Sequence, residues 1–337
     1  MDRSHFLEAR LAYSDLRLDE LKTEIAGAVS DLELPDLTIF CVGSFARGEG
    51  GEHSDIDLFF AYPKNPRKSA RPHTNELHLF GRLIDIIGEK GFQPFSGDAQ
   101  FLQTSALRKV HKHLGGRKDD QSNYFTQRML MLLESRCLHG DQAYDEILRK
   151  TIDWYFHDAE KHPTQFEPWA LINDIERYWR TLLLNYENAN FLKRKRDPEL
   201  NENLEAERRV RKFKLKFSRA TTCFATIAAI ASRSEPHSRD SLADLVSLTP
   251  LARIELAAKQ MPAIRGQAER LFDDYAWFLE QTSQTKEQLR SSFNSTADRN
   301  EKRLRARRYG DTLFELLSTI DQNRPDESRR LVRHLVV

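Results

Sequence analysis

Gly43-Ser44-Phe45-Ala46-Arg47-Gly48-Glu49, followed by Ser54-Asp55-Ile56-Asp57-Leu58, is the stretch on which the fold turns. Upstream, Leu37-Thr38-Ile39-Phe40-Cys41-Val42 is apolar and partly β-branched, as a buried strand is. Gly43 and Ser44 end that strand. Ser44 suits a helix N-cap, and glycine lets an anion approach the backbone because it has no Cβ. Backbone N–H groups at a helix start, with the helix dipole behind them, bind phosphate. Gly48 to Gly51 then loosens the chain before a second strand, Asp55 to Tyr62. Residues two apart in a strand share a face, so Asp55 and Asp57 aim at one point. Hard divalent cations such as Mg²⁺ take clustered oxygens and share their shell with substrate phosphates. The expected order is strand, Gly-Ser turn, short helix, and a strand bearing Asp-x-Asp. Its chemistry is metal-assisted phosphoryl or nucleotidyl transfer.

The string GSFARGEGGEHSDIDLFF resembles the signature of the DNA polymerase β-like nucleotidyltransferase superfamily: Gly-Ser, about ten residues, then Asp-x-Asp. Within it, the Ala-Arg-Gly-Glu and Ser-Asp-Ile-Asp-Leu words are closest to PII uridylyltransferase-like proteins and minimal toxin–antitoxin nucleotidyltransferases. The resemblance is tight over about 25 residues and looser over the first third of the chain. It implies that Gly43 and Ser44 hold the β- and γ-phosphates of an NTP, with Arg47 a further nucleotide contact. It implies two Mg²⁺ ions on Asp55 and Asp57, and a third carboxylate on a neighbouring strand. Asp98 is the candidate for that third position, beside a strand expected over Ala99 to Thr104. An alternative alignment places Gln93 there, which would weaken metal binding. Asp85 is the other acid nearby, inside a helix expected over Thr74 to Lys90.

The implied fold is α+β: a polymerase β-like core with a small mixed sheet over residues 1–116, then an all-helical domain over 117–337 for acceptor recognition. Gly115-Gly116-Arg117-Lys118 supplies the polar break. Beyond it, helical periodicity runs almost to the end, including a helix from Phe125 to about His139. The N-terminal helix carries an apolar stripe from Phe6 to Val29 and no evident chemistry.

From Lys193 to Arg219, eleven Lys or Arg face five acids, a local charge of +6. Lys212, Lys216 and Arg219 fall at i, i+4 and i+7 on one helix face. Lys216 and Arg219 are candidate phosphate contacts, and Arg177 and Arg180 flank the aromatics Tyr178 and Trp179. Over the whole chain the formal charge is only +1, although 31% of residues are charged. That balance argues against a protein that coats nucleic acid. No apolar run approaches a membrane span, and the first residues lack a signal-peptide core. Cys41, Cys137 and Cys223 are far apart and read as buried thiols of a cytoplasmic protein. The expected activity is transfer of an NMP from an NTP to an acceptor hydroxyl: a protein side chain foremost, otherwise an RNA 3′ end or a small molecule. A catalytically inactive nucleotide-binding regulator or scaffold is the alternative.

Overall fold

The computed structural model describes residues 3–63, 74–95, 102–106, 113–162, 166–196, 202–325 and 330–336. They divide into two compact units. The first is Met1–His162 with Ser238–Thr249, and the second is Pro163–His237 with Pro250–Val337.

The first unit is built on a four-stranded mixed sheet. Helix α1 (Arg3–Val29) leads into β1 (Thr38–Val42), which pairs antiparallel with β2 (Asp57–Tyr62). Helix α2 (Thr74–Glu89) follows, then β3 (Thr104–Ala106), parallel to β2. Next come α3 (Arg117–Gln121), α4 (Tyr124–Glu134), β4 (Ser135–His139) and α5 (Asp141–Tyr155). The spatial order is β3-β2-β1-β4, with β4 antiparallel to β1. Strand alternation sends Ile39, Cys41, Leu58 and Phe60 to one face. There they pack with Leu18, Leu21 and Ile25 of α1 and Leu79, Phe80 and Leu83 of α2. Phe40 and Phe59 stack at 5.6 Å on the opposite face, where Tyr144 of α5 meets Phe40 edge-on. Helix α2 ends where Gly91, at φ +69°, lets the Phe92 amide reach back to the Ile87 carbonyl. Burial pushes the Cys41 and Cys137 thiols up to about 12, so neither is a nucleophile near neutral pH.

Two expectations change here. Residues 135–139, expected to finish a helix, form β4, because pairing with β1 satisfies their backbone. That pairing also ties the segment after residue 116 to the sheet, so the compact unit runs on to His162. The strand expected over Ala99 to Thr104 falls partly outside the described residues, and β3 begins at Thr104.

The second unit is helical: α6 (Trp169–Arg196), α7 (Glu202–Lys214), a π turn (Leu215–Arg219) and α8 (Ala220–Ala231). After α9 (Arg239–Ser247), which belongs to the first unit, come α10 (Pro250–Gln260), α11 (Arg265–Thr282), α12 (Lys286–Ser292), α13 (Thr296–Gln322) and α14 (Leu331–Val336). Helix α8 is almost wholly buried. Its Thr221, Thr222 and Thr226 hydroxyls donate to carbonyls four residues back, so no hydroxyl is stranded in the core. Phe217 stacks on Phe278 at 4.8 Å, and Phe213 packs on both, as their apolar spacing predicts. Among the described residues, no helix is long and apolar enough to cross a membrane.

Candidate active site

The Gly-Ser segment is a tight turn, and the short helix expected after it does not form. Gly43 leaves β1 at φ +82°, a conformation that favours glycine. The amides of Arg47, Gly48 and Glu49 bond back to the carbonyls of Gly43, Phe45 and Ser44 at 3.1, 3.0 and 2.8 Å. Gly48, at φ +72°, stops the winding after one turn. The amides of Ser44, Phe45 and Ala46 have no backbone acceptor among the described residues. Such a run of N–H groups is what an anion takes up at a turn.

Strand register brings the two halves of the motif together. Val42, the last residue of β1, pairs with Asp57, the first of β2. The Asp57 carboxylate therefore lies against the bare Cα of Gly43: a Cβ there would stand 3.1 Å from Oδ2. Ile56 and Leu58 point into the core, so Asp55 and Asp57 occupy the other face, both half-buried. Asp55 forms a parallel bridge with Gln93, which puts a neutral amide residue on the neighbouring segment. Asp98 lies outside the described residues. Among the described residues, no group of three His, Cys, Asp or Glu is poised to hold a metal ion.

Arg47 sits beneath the turn. It is only 7% exposed; Nε donates to Glu49 Oε2 at 2.9 Å and Nη1 donates to Glu134 Oε2. Glu134 ends α4 and is itself buried, so this ion triad fastens the turn to the element that leads into β4. A second brace comes from α1. The Ser14 hydroxyl accepts from the Gly50 amide at 2.9 Å and donates to the Arg10 carbonyl at 3.0 Å. Arg10 Nη1 donates to the Gly50 carbonyl at 3.2 Å. Gly51 leaves room for this guanidinium: a Cβ there would fall 2.0 Å from Arg10 Nη1, so a larger residue would push Arg10 aside. Sequence reasoning assigned no chemistry to α1 and missed Glu134. The signal available was Ser14, a polar residue set inside an otherwise apolar stripe.

In the second unit, Lys216 and Arg219 lie in the π turn, both half-buried. A π turn breaks the 3.6-residue register on which their alignment with Lys212 was based. Arg177 faces Asp174 at 3.6 Å, Arg180 pairs with Glu176 at 2.6 Å, and Trp179 packs edge-on against Phe224.

Two carboxylates on one sheet face, one of them pressed against an amide-bearing glycine turn, fit a hard divalent cation shared with phosphate oxygens. Residues 22–134 match the family model described as "Nucleotidyltransferase domain". A stretch of 140 residues is 29% identical to the "Bifunctional uridylyltransferase/uridylyl-removing enzyme" of Zymomonas mobilis subsp. mobilis. That match covers 41% of this chain and 13% of the relative's length. The matched residues, 22–134, contain both the Gly-Ser turn and the Asp-x-Asp strand, and they are similar to a nucleotidyltransferase domain.

Proposed function

We propose that the first unit catalyses metal-dependent transfer of a nucleoside monophosphate from an NTP to an acceptor hydroxyl, a protein side chain being the favoured acceptor. The observation that carries this reading is the Asp57 carboxylate resting on Gly43 at the mouth of the turn. Asp55 and Asp57 are the residues that would hold Mg²⁺, with Asp98 as the proposed third carboxylate. Bound Mg²⁺ would neutralise triphosphate charge and make the acceptor hydroxyl more acidic. The amides of Ser44, Phe45 and Ala46, with the Ser44 hydroxyl, take the non-bridging oxygens of the β- and γ-phosphates. Arg47, Glu49 and Glu134 keep that turn in shape before substrate arrives, so little reorganisation remains for the reactive state. The acceptor oxygen forms a bond to the α-phosphorus, the bond from that phosphorus to pyrophosphate breaks, and the acceptor proton passes to Asp98.

The relative's name makes UTP the first donor to try. The test is incubation with Mg²⁺ and each α-³²P-labelled NTP, alone and with cell extract, beside Asp57→Asn. We expect label in an acceptor fraction from the wild type, and a loss of about 10²-fold or more in the variant. Full activity in Asp57→Asn would overturn the mechanism. Nucleotide binding with no transfer under any condition would support the regulator. The neutral Gln93 beside Asp55 is the observation that favours that second reading.

A further inference from the structure

Most cations of α7 and α13 have partners. Arg208 meets Glu205 at 3.4 Å, Arg211 meets Asn190 at 3.1 Å, and Arg209 donates to the Phe293 carbonyl at 3.3 Å. On α13, Arg305 meets Glu301 at 3.3 Å and Arg308 Nε donates to Asp274 at 2.9 Å. Four cations of these two helices and of the π turn that follows α7 differ. Lys212, Lys216, Arg303 and Arg307 make no ion pair or hydrogen bond among the described residues, and the other three lie near enough to Lys216 to repel its charge.

The packing that assembles them is specific. Tyr309 of α13 stacks on Phe217 of the π turn at 4.6 Å, and its hydroxyl meets the Thr221 hydroxyl. Lys216 precedes Phe217 and so borders α13, where Arg303 and Arg307 stand one helical turn apart, a rise of about 6 Å. Lys212 extends the group from α7. Burial, and then repulsion from Lys212, Arg303 and Arg307, pulls the Lys216 ammonium below its ordinary range, with Asp311 opposing. Four like charges with one opposing acid beside them still repel one another, and a π turn inside a helix frequently marks a functional position.

We propose that Lys212, Lys216, Arg303 and Arg307 form a binding site for a di- or triphosphate group, free or carried on a nucleotide. Four cations on two adjacent helices match the clustered charge of such a group. Arginine supplies forked donors to phosphate oxygens, and lysine supplies point charge. Among the described residues, Arg208, Arg209, Arg211, Arg305 and Arg308 beside the patch already have partners, which favours a compact anion over an extended strand. The site stands on the second unit alone and does not rest on nucleotidyl transfer.

The test uses the full chain carrying Asp55→Asn and Asp57→Asn, in which transfer is disabled. Calorimetric titration with inorganic tripolyphosphate at low salt and without divalent metal should show saturable binding. Adding Arg303→Ala and Arg307→Ala should weaken it by about 10-fold or more. Lys259→Ala with Arg270→Ala, which removes exposed and paired cations elsewhere in the second unit, should change it less than about twofold. Circular dichroism and the thermal midpoint establish that each variant is folded. ATP binding as tightly as tripolyphosphate supports the site and identifies the phosphate tail as the recognised part. Unchanged affinity after the Arg303 and Arg307 substitutions would overturn the proposal. So would much tighter binding of a single-stranded oligonucleotide of about twelve residues, with a correspondingly steep salt dependence.

Discussion

Arg47 decides between two roles that its position in the motif leaves open, phosphate contact and brace. With Nε on Glu49 and Nη1 on Glu134, its donors are directed inward, and both acids depend on it for compensation. Replacing it with Met leaves two buried carboxylates without their cation, an expected loss of about 3–5 kcal/mol in chemical denaturation. Arg47→Lys keeps the charge but lacks the fork that reaches both acids, so it should fall between Met and the wild type. An arginine whose only task was to touch nucleotide would leave the unfolding midpoint in place and raise KM alone. The Asp-x-Asp pair and the Gly-Ser turn were legible because the strand-turn-strand pattern that places them is local, although the contacts that brace the turn are not. The role of Arg47 was not, since Glu134 lies 87 positions away and no local spacing links them.

At the scale of elements, what the sequence concealed was what pairing creates. Leu132, Leu133, Cys137 and Leu138 continue the apolar rhythm of α4, so Ser135 to His139 reads as more helix; only β1 turns it into a strand. The π turn was hidden for a related reason: its residues keep a helical pattern in the sequence, and only the structure shows the change of register, at the place where Phe217 stacks on Tyr309. The strand β1, helix α2 and the aromatic core of the second unit were legible, because their burial follows simple periodicity. Helix α3 shows how little local propensity a short element requires. Its five residues are held by Asp119, whose carboxylate receives Arg128 Nη1 and Nη2 at 2.9 and 3.0 Å, all fully buried; Arg128 Nε donates to Tyr155. Asp119→Ala strands the guanidinium, and the expected cost is about 3–5 kcal/mol. The double replacement Asp119→Leu with Arg128→Leu should cost less than the two single ones added together. Additive costs in that cycle, read by urea unfolding, would mean the pair is not coupled.

At the scale of the whole molecule, the chain passes between its two units after His162, after His237 and before Pro250, so neither unit is one continuous segment. Helix α9 returns to the first unit, where Arg239 meets Asp153 at 2.7 Å and Asp240 meets Arg149 at 3.0 Å. A boundary at residue 116 was suggested by polar and glycine residues, but they mark only the start of α3. Composition locates a turn; it does not report which later segment completes a unit. His237 closes the second unit's first segment at one of these crossings. Its Nε2 donates to the Ile230 carbonyl at 3.1 Å, and burial draws its pKa down from 6.5 to about 4. The unfolded chain takes up this proton near 6.5, and the folded chain takes it up only near 4. Between those values the unfolded state binds more protons, so the stability this histidine contributes is present above 6.5 and lost as the pH falls toward 4. Between pH 7 and pH 5 the loss should be about 2 kcal/mol. Carboxylates elsewhere titrate over part of the same range, so the quantity to measure is the difference between wild type and His237→Gln in urea unfolding at the two pH values. The variant should lose about 2 kcal/mol less than the wild type on acidification. Equal losses in the two proteins would mean that His237 is protonated in the folded state as readily as in the unfolded chain.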